Sequence, residues 1–205
     1  MLISSIASAS KLVVAHFIVG NTFNYGVSDW SRGMCPQFYA CPPESTAFMT
    51  IARWDDRIDI SIALSSGFDA FALNVGSDYW QPQSVAYAFK AAEDTPFKLF
   101  LSFDMTSLPC TYPADATILQ NYISSYSSHP NQLIYHDATF VSTFAGDYCD
   151  FGTGSVNAGW TNAVKNPNLP PVYFVPAFFE PSNFDNLPVM DGAFNASLFL
   201  HPPTL

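Results

Sequence analysis

Two carboxylates close apolar runs in this chain: Asp104 ends Phe97 to Asp104, and Asp191 lies in Val189 to Asn195. A carboxyl group placed at the end of a buried strand can give or take a proton at a reacting centre, provided a second carboxylate works with it. The plainer alternative for Asp104 is a carboxylate held by neighbouring N–H groups that fixes a loop, and for Asp191 a turn or helix cap before Gly192. Asn74 ends another apolar run and can both donate to and accept from a ligand hydroxyl. His16 lies inside an apolar stretch, where ligand contact and a satisfied core histidine compete. Asp78, Tyr79 and Trp80 follow a run and offer either an aromatic wall for a flat ligand or further core. Other chemistries find no foothold. The four cysteines (35, 41, 110, 149) include no C-x-x-C pair, and the four histidines are scattered, so zinc-type spacing is absent. No G-x-S-x-G elbow occurs. Gly152-Thr153-Gly154 lacks the spacing of a dinucleotide loop and reads as a simple loop.

The 205 residues carry 7 Lys+Arg against 17 Asp+Glu, a formal charge of −10. Such a chain has no basic footprint for phosphates, so neither nucleic acid nor an anionic membrane surface is expected as a partner. No apolar stretch approaches the roughly 20 residues of a membrane helix. Charged residues make up 12% and hydrophobic ones 49%, which excludes disorder for most of the chain. The 16% aromatic content occurs both in proteins that stack on sugars and in ordinary cores. Met1 to Ser10 has small residues suited to signal cleavage but no basic start, and reads as a signal-peptide remnant.

The elements that would position these residues alternate in type. Six short apolar runs read as strands: Leu12–Val19, Phe68–Val75, Phe97–Asp104, Phe140–Phe144, Val172–Phe179 and Val189–Asn195. Near-continuous apolar strands suit a parallel sheet covered on both faces. Between them, Trp54, Ile58 and Ile62 fall four apart ahead of Gly67, a helix with its C-terminal glycine. Gln83 to Asp94 and Asp115 to Ser127 also have helical spacing, with Asp115 placed to cap. Alternation of this kind means α/β with parallel strands. Polar residues at the C-terminal strand ends point to a (β/α)8 TIM-barrel type, with about six of eight strands present.

At those strand ends the sequence resembles glycoside hydrolase family 71, the fungal α-1,3-glucanases or mutanases. The resemblance is carried by AHFIVGNTFNY (Ala15–Tyr25), GFDAFALNVG (Gly67–Gly76), FKLFLSFDM (Phe97–Met105), VSTFAGDYCDFGTGSVNAGW (Val141–Trp160), YFVPAFF (Tyr173–Phe179) and DGAFN (Asp191–Asn195), in register. It implies a barrel followed by β-rich accessory structure, and hydrolysis of α-1,3-glucosidic bonds in α-1,3-glucan by a secreted, monomeric protein without metal or organic cofactor. To Asp104 and Asp191, the catalytic candidates by placement, it adds Asp69, which lies early in its strand where a structural role competes. Substrate contacts would fall to His16, Asn74, Asp78, Tyr79 and Trp80. It also implies a disulfide between Cys110 and Cys149, which fits secretion.

Two departures from the family pattern stand out. Ser31 to Trp54, 24 residues, matches nothing in it. Without them VSDW runs into DDRIDISIALSSGFDAFALN as one amphipathic helix, so the segment reads as a retained intron or a lineage-specific loop. After Asn195 the family's eighth-strand acidic motif has no counterpart, and residues 196–205 read as an anomalous tail; Asn195-Ala196-Ser197 forms a glycosylation sequon there. Residues 11–195 are therefore expected to form a partial catalytic barrel that is nearly inactive alone. The alternatives are a non-catalytic α-glucan-binding protein and a gene-model fragment with no stable fold.

Overall fold

The computed structural model describes residues 11–18, 58–179 and 187–194. Residues 1–10, the segment 31–54 set apart in the sequence, the sequon and the tail lie outside them. The element order is β1 (Val14–Ile18), α1 (Ile58–Ser65), β2 (Ala70–Val75), α2 (Gln81–Ala92), β3 (Lys98–Asp104), a 3₁₀ turn (Pro113–Asp115), α3 (Ala116–Tyr126), β4 (Ile134–Tyr135), β5 (Ala138–Phe144), α4 (Val156–Val164) and β6 (Val172–Phe174).

Strands β1, β2, β3, β5 and β6 pair in that order, all parallel, while β4 is a short antiparallel edge on β5. The fold is α/β. Each new strand is laid beside the last without reversal, and the helices cover one face, as in a segment of a (β/α) barrel rather than a doubly wound sheet. Period-two alternation sorts the side chains. Phe71, Leu73 and Val75, with Leu99, Leu101 and Phe103, join Ile60, Phe89, Leu119 and Trp160 from the helices in one large core. The opposite face carries Ala70, Ala72 and Phe100, with Leu133, in a small separate cluster that contains no helix residue.

Local signals explain most boundaries. Gly67, at φ +81°, ends the turn after α1. Ser155 caps α4, its side chain accepting from the Ala158 N–H at 3.4 Å. Asp115 does something other than capping α3: its Oδ2 accepts from the N–H groups of Thr111 (2.9 Å) and Tyr112 (2.8 Å), tying down the turn before the helix. Gly159 is required by close approach, because a Cβ there would run into the Asp150 carbonyl.

The expected sixth strand is not a strand. Residues 187–190 turn, and 191–194 lie beside β6, with the Asp191 N–H on the Phe174 carbonyl (2.8 Å) and the Phe194 N–H on the Pro176 carbonyl (2.9 Å). Pro176 has no N–H to return to such a ladder, which limits pairing along this edge. Gly152 and Gly154 do lie in a loop, at φ +73° and +74°, but that loop connects β5 to helix α4, which the sequence reading did not anticipate.

Candidate functional site

Even-numbered residues of β2, β3 and β5 share the face away from the helices, and so does His16 of β1, through the registers His16↔Ala72, Asn74↔Ser102 and Asp104↔Phe144. This face bears the polar side chains His16, Asn74, Ser102, Asp104 and Ser142, of which both serines are buried. His16, Asn74 and Asp104 form a diagonal row that climbs two residues with each strand towards the C-terminal ends.

Asp104 is held from three directions. Its Oδ1 accepts from the Thr106 N–H (3.0 Å) and the Thr106 hydroxyl (2.6 Å), and its Oδ2 from the Asn74 Nδ2 (3.2 Å). Thr106 is thus a site residue that the sequence reading missed, although Asp-x-Thr after a strand is a recognisable turn signal. Asp104 is half-buried, and its loop is continued by Ser107 and Leu108 N–H groups on its carbonyl. His16 is exposed by surface area, yet partial enclosure of its ring lowers its pKa, while a side-chain hydrogen bond with Asn74 and the charge of Asp104 oppose that shift. The Trp80 Nε1 is buried without a hydrogen-bond partner among the described residues.

Loops at the same end surround the row. The β2–α2 loop is stitched to the β3–α3 loop by the Ser77 N–H on the Ser107 Oγ (3.2 Å), and Gly76 allows this because a Cβ would strike that hydroxyl. Asp78 accepts weakly from the Gln81 Nε2 (3.4 Å), while Tyr79 stands 84% exposed, edge-on to Trp80 at 5.0 Å. Phe144 lies between His16 (ring centroids 6.4 Å apart) and Phe179 (5.1 Å). Cys110 and Cys149 are joined by a disulfide that links the β3–α3 and β5–α4 loops. Among the described residues no cluster of His, Cys, Asp and Glu could hold a metal ion.

The other two carboxylate candidates stand elsewhere. Asp69 precedes β2, five residues before Asn74, roughly 17 Å away along a strand, and its Oδ2 accepts from the Val13 N–H at 2.7 Å. It braces the N-terminal ends of β1 and β2. Asp191 pairs with Lys165, and its Oδ2 also accepts from the Phe174 N–H (2.7 Å). Phe174 is in register with Val141 and so with Leu101, three residues short of Asp104. Asp191 is therefore about 10 Å lower along the strands and about three strand spacings, roughly 14 Å, across the sheet. Acid–base carboxylates on a glycosidic bond are separated by about 5–9.5 Å. The structure does not bring Asp69 or Asp191 to Asp104.

Residues 44–197 match glycosyl hydrolase family 71. The chain belongs to that family. Similar curated proteins are a glucan endo-1,3-alpha-glucosidase of Schizosaccharomyces pombe (39% identical, covering 85% of this chain and 35% of that protein), a mutanase of Penicillium rubens (32%; 92% and 34%) and an ascus wall endo-1,3-alpha-glucanase of S. pombe (30%; 91% and 38%). This family 71 chain spans about a third of the length of those relatives. A solved GH99 endo-alpha-mannosidase from Bacteroides thetaiotaomicron overlays at TM-score 0.53 with 15% identity, covering 67% of this chain and 44% of that one, a likeness of fold.

Proposed function

We propose that this chain forms part of an α-1,3-glucan hydrolase, supplying one side of a sugar-binding rim at the C-terminal ends of its parallel strands. The observation that carries the reading is the orientation of Asp104 by Thr106 and Asn74 at that rim, in a chain 39% identical to a named glucan endo-1,3-alpha-glucosidase. Asp104 would act as one carboxylate of the acid–base pair, and His16 and Asn74 would contact sugar hydroxyls. The secreted or cell-wall location shared with such an activity belongs to the same proposal and agrees with the disulfide. Among the described residues no helix is long and apolar enough to cross a membrane.

A second reading, a non-catalytic glucan-binding protein, is favoured by one observation: of the three carboxylate candidates, Asp104 alone reaches the rim. Incubating the purified 205-residue chain with insoluble α-1,3-glucan separates the readings. Retention on the glucan but not on cellulose, with sugar release close to background, favours the binding reading, and release well above background carries the hydrolase reading. Vigorous release would mean that a second acid is recruited from outside the described residues; absence of retention would contradict both readings.

A further inference from the structure

Among the exposed aromatic side chains at this end of the sheet, Tyr148 differs in being fixed at both ends. Its backbone immediately precedes Cys149, which is bonded to Cys110. Its hydroxyl donates to the Met105 carbonyl at 2.7 Å, one residue beyond Asp104. Met105 in turn donates its N–H to the Phe144 carbonyl (3.0 Å), so the ring is tied to two strand ends as well as to the disulfide. Yet the residue is 61% exposed.

A tyrosine in the open normally loses rotamer freedom when a ligand stacks on it, which weakens binding. Here the freedom is already removed. The single polar group is satisfied by protein, so what remains for solvent or ligand is apolar ring surface. With a net charge of −10 the chain offers no attraction to an anionic ligand. A neutral pyranose, with an apolar C–H face and hydroxyls at its edge, matches both properties.

We infer that Tyr148 is a stacking platform for a sugar residue of the glucan, placed beside the Asp104 position by its bond to Met105. The inference rests on the proposed function and adds a specificity-determining residue outside the Asp78–Trp80 wall. Binding isotherms on insoluble α-1,3-glucan for the full chain, Tyr148→Phe and Tyr148→Ala test it, with the urea midpoint of each variant confirming that it folds. Tyr148→Phe keeps the ring but releases its tether and should weaken binding by about twofold, whereas Tyr148→Ala should weaken binding about three- to tenfold, the scale of a single aromatic stacking contact. If Tyr148→Ala binds like the unmodified chain, the platform does not exist. If Tyr148→Phe falls as far as Tyr148→Ala, the hydroxyl tether matters and the ring does not, which also overturns the inference. Failure of the unmodified chain to bind is a different result, because it removes the proposed function itself.

Discussion

The two faces of the parallel sheet are built from the same strands and do opposite work. On the helix-facing side, Leu73, Leu99, Leu101 and Phe103 are fully buried against α1 to α4. On the other side the same strands alternate to Ala72, Asn74, Ser102 and Asp104, small or polar, whose interactions are hydrogen bonds at one end. One face holds the fold together by apolar burial on a large scale; the other adds a smaller apolar cluster around Phe100 and carries, nearer the C-terminal strand ends, the groups fit for chemistry. The contrast teaches that period-two alternation separates stability from function within a single strand such as β3, where Phe103 and Asp104 are neighbours in sequence.

The contrast can be broken first at the loops. The Cys110–Cys149 disulfide closes a separation of 39 residues, for which chain entropy predicts about 4 kcal/mol of stabilisation. Cys149→Ser with Cys110→Ser should lower the melting temperature by about 10 °C and, by loosening Tyr148, weaken glucan retention too. A change in stability without any change in retention would separate the disulfide from the rim.

Neighbouring substitutions on β3 sharpen the division. Phe103→Ala leaves a large void in the core and should cost about 3–5 kcal/mol in denaturant unfolding. Ser102→Ala, on the opposite face, should cost less than about 1.5 kcal/mol. Equal losses would mean that Ser102 holds the fold as strongly as the large core does, and the division between the two faces at this end of β3 would fail.

A smaller effect concerns pH. Burial holds the His16 pKa below its usual 6.5, so the unfolded chain takes up a proton there first as the solution is acidified. Stability is fully present above pH 6.5 and declines as pH falls from 6.5 towards the lowered value. His129, whose pKa burial also lowers, adds to the loss in the same direction. Thermal melts at pH 7.5 and 5.5 should therefore show a smaller drop for His16→Gln than for the unmodified chain. An unchanged or larger drop would mean that the partial enclosure of the exposed His16 side chain does not shift its titration.

Much of this architecture is legible in the sequence. The runs ending at Val75 and Asp104 are strands because apolar residues continue unbroken to a polar stop, and the spacing of Val85, Ala88, Phe89 and Ala92 marks the buried side of α2. Helix α4 escaped because its first half, with Asn157 and Gly159, reads as loop, although Trp160, Ala163 and Val164 carry a buried stripe. Residues 189–194 have strand composition but meet an edge interrupted by Pro176. In the site, Asp104 and Asn74 follow from strand ends and parity. The bracing of Val13 by Asp69 and the pairing of Asp191 with Lys165 depend on which backbone or ammonium group lies opposite, and that requires the register between distant segments. Tyr148 is invisible for the same reason: its tether reaches back 43 residues to Met105.

The central claim is that Asp104 serves the ligand rather than the fold, and Asp104→Asn tests it most directly through paired measurements of urea midpoint and retention on α-1,3-glucan. The substitution keeps an oxygen to accept from Thr106 but loses the charge and the acceptor for Asn74, so stability should fall by no more than about 2 kcal/mol. Retention should shift several-fold as the hydroxyl-binding rim is altered. A large stability loss with unchanged retention would contradict the account and return Asp104 to the role of a carboxylate that merely fixes its loop.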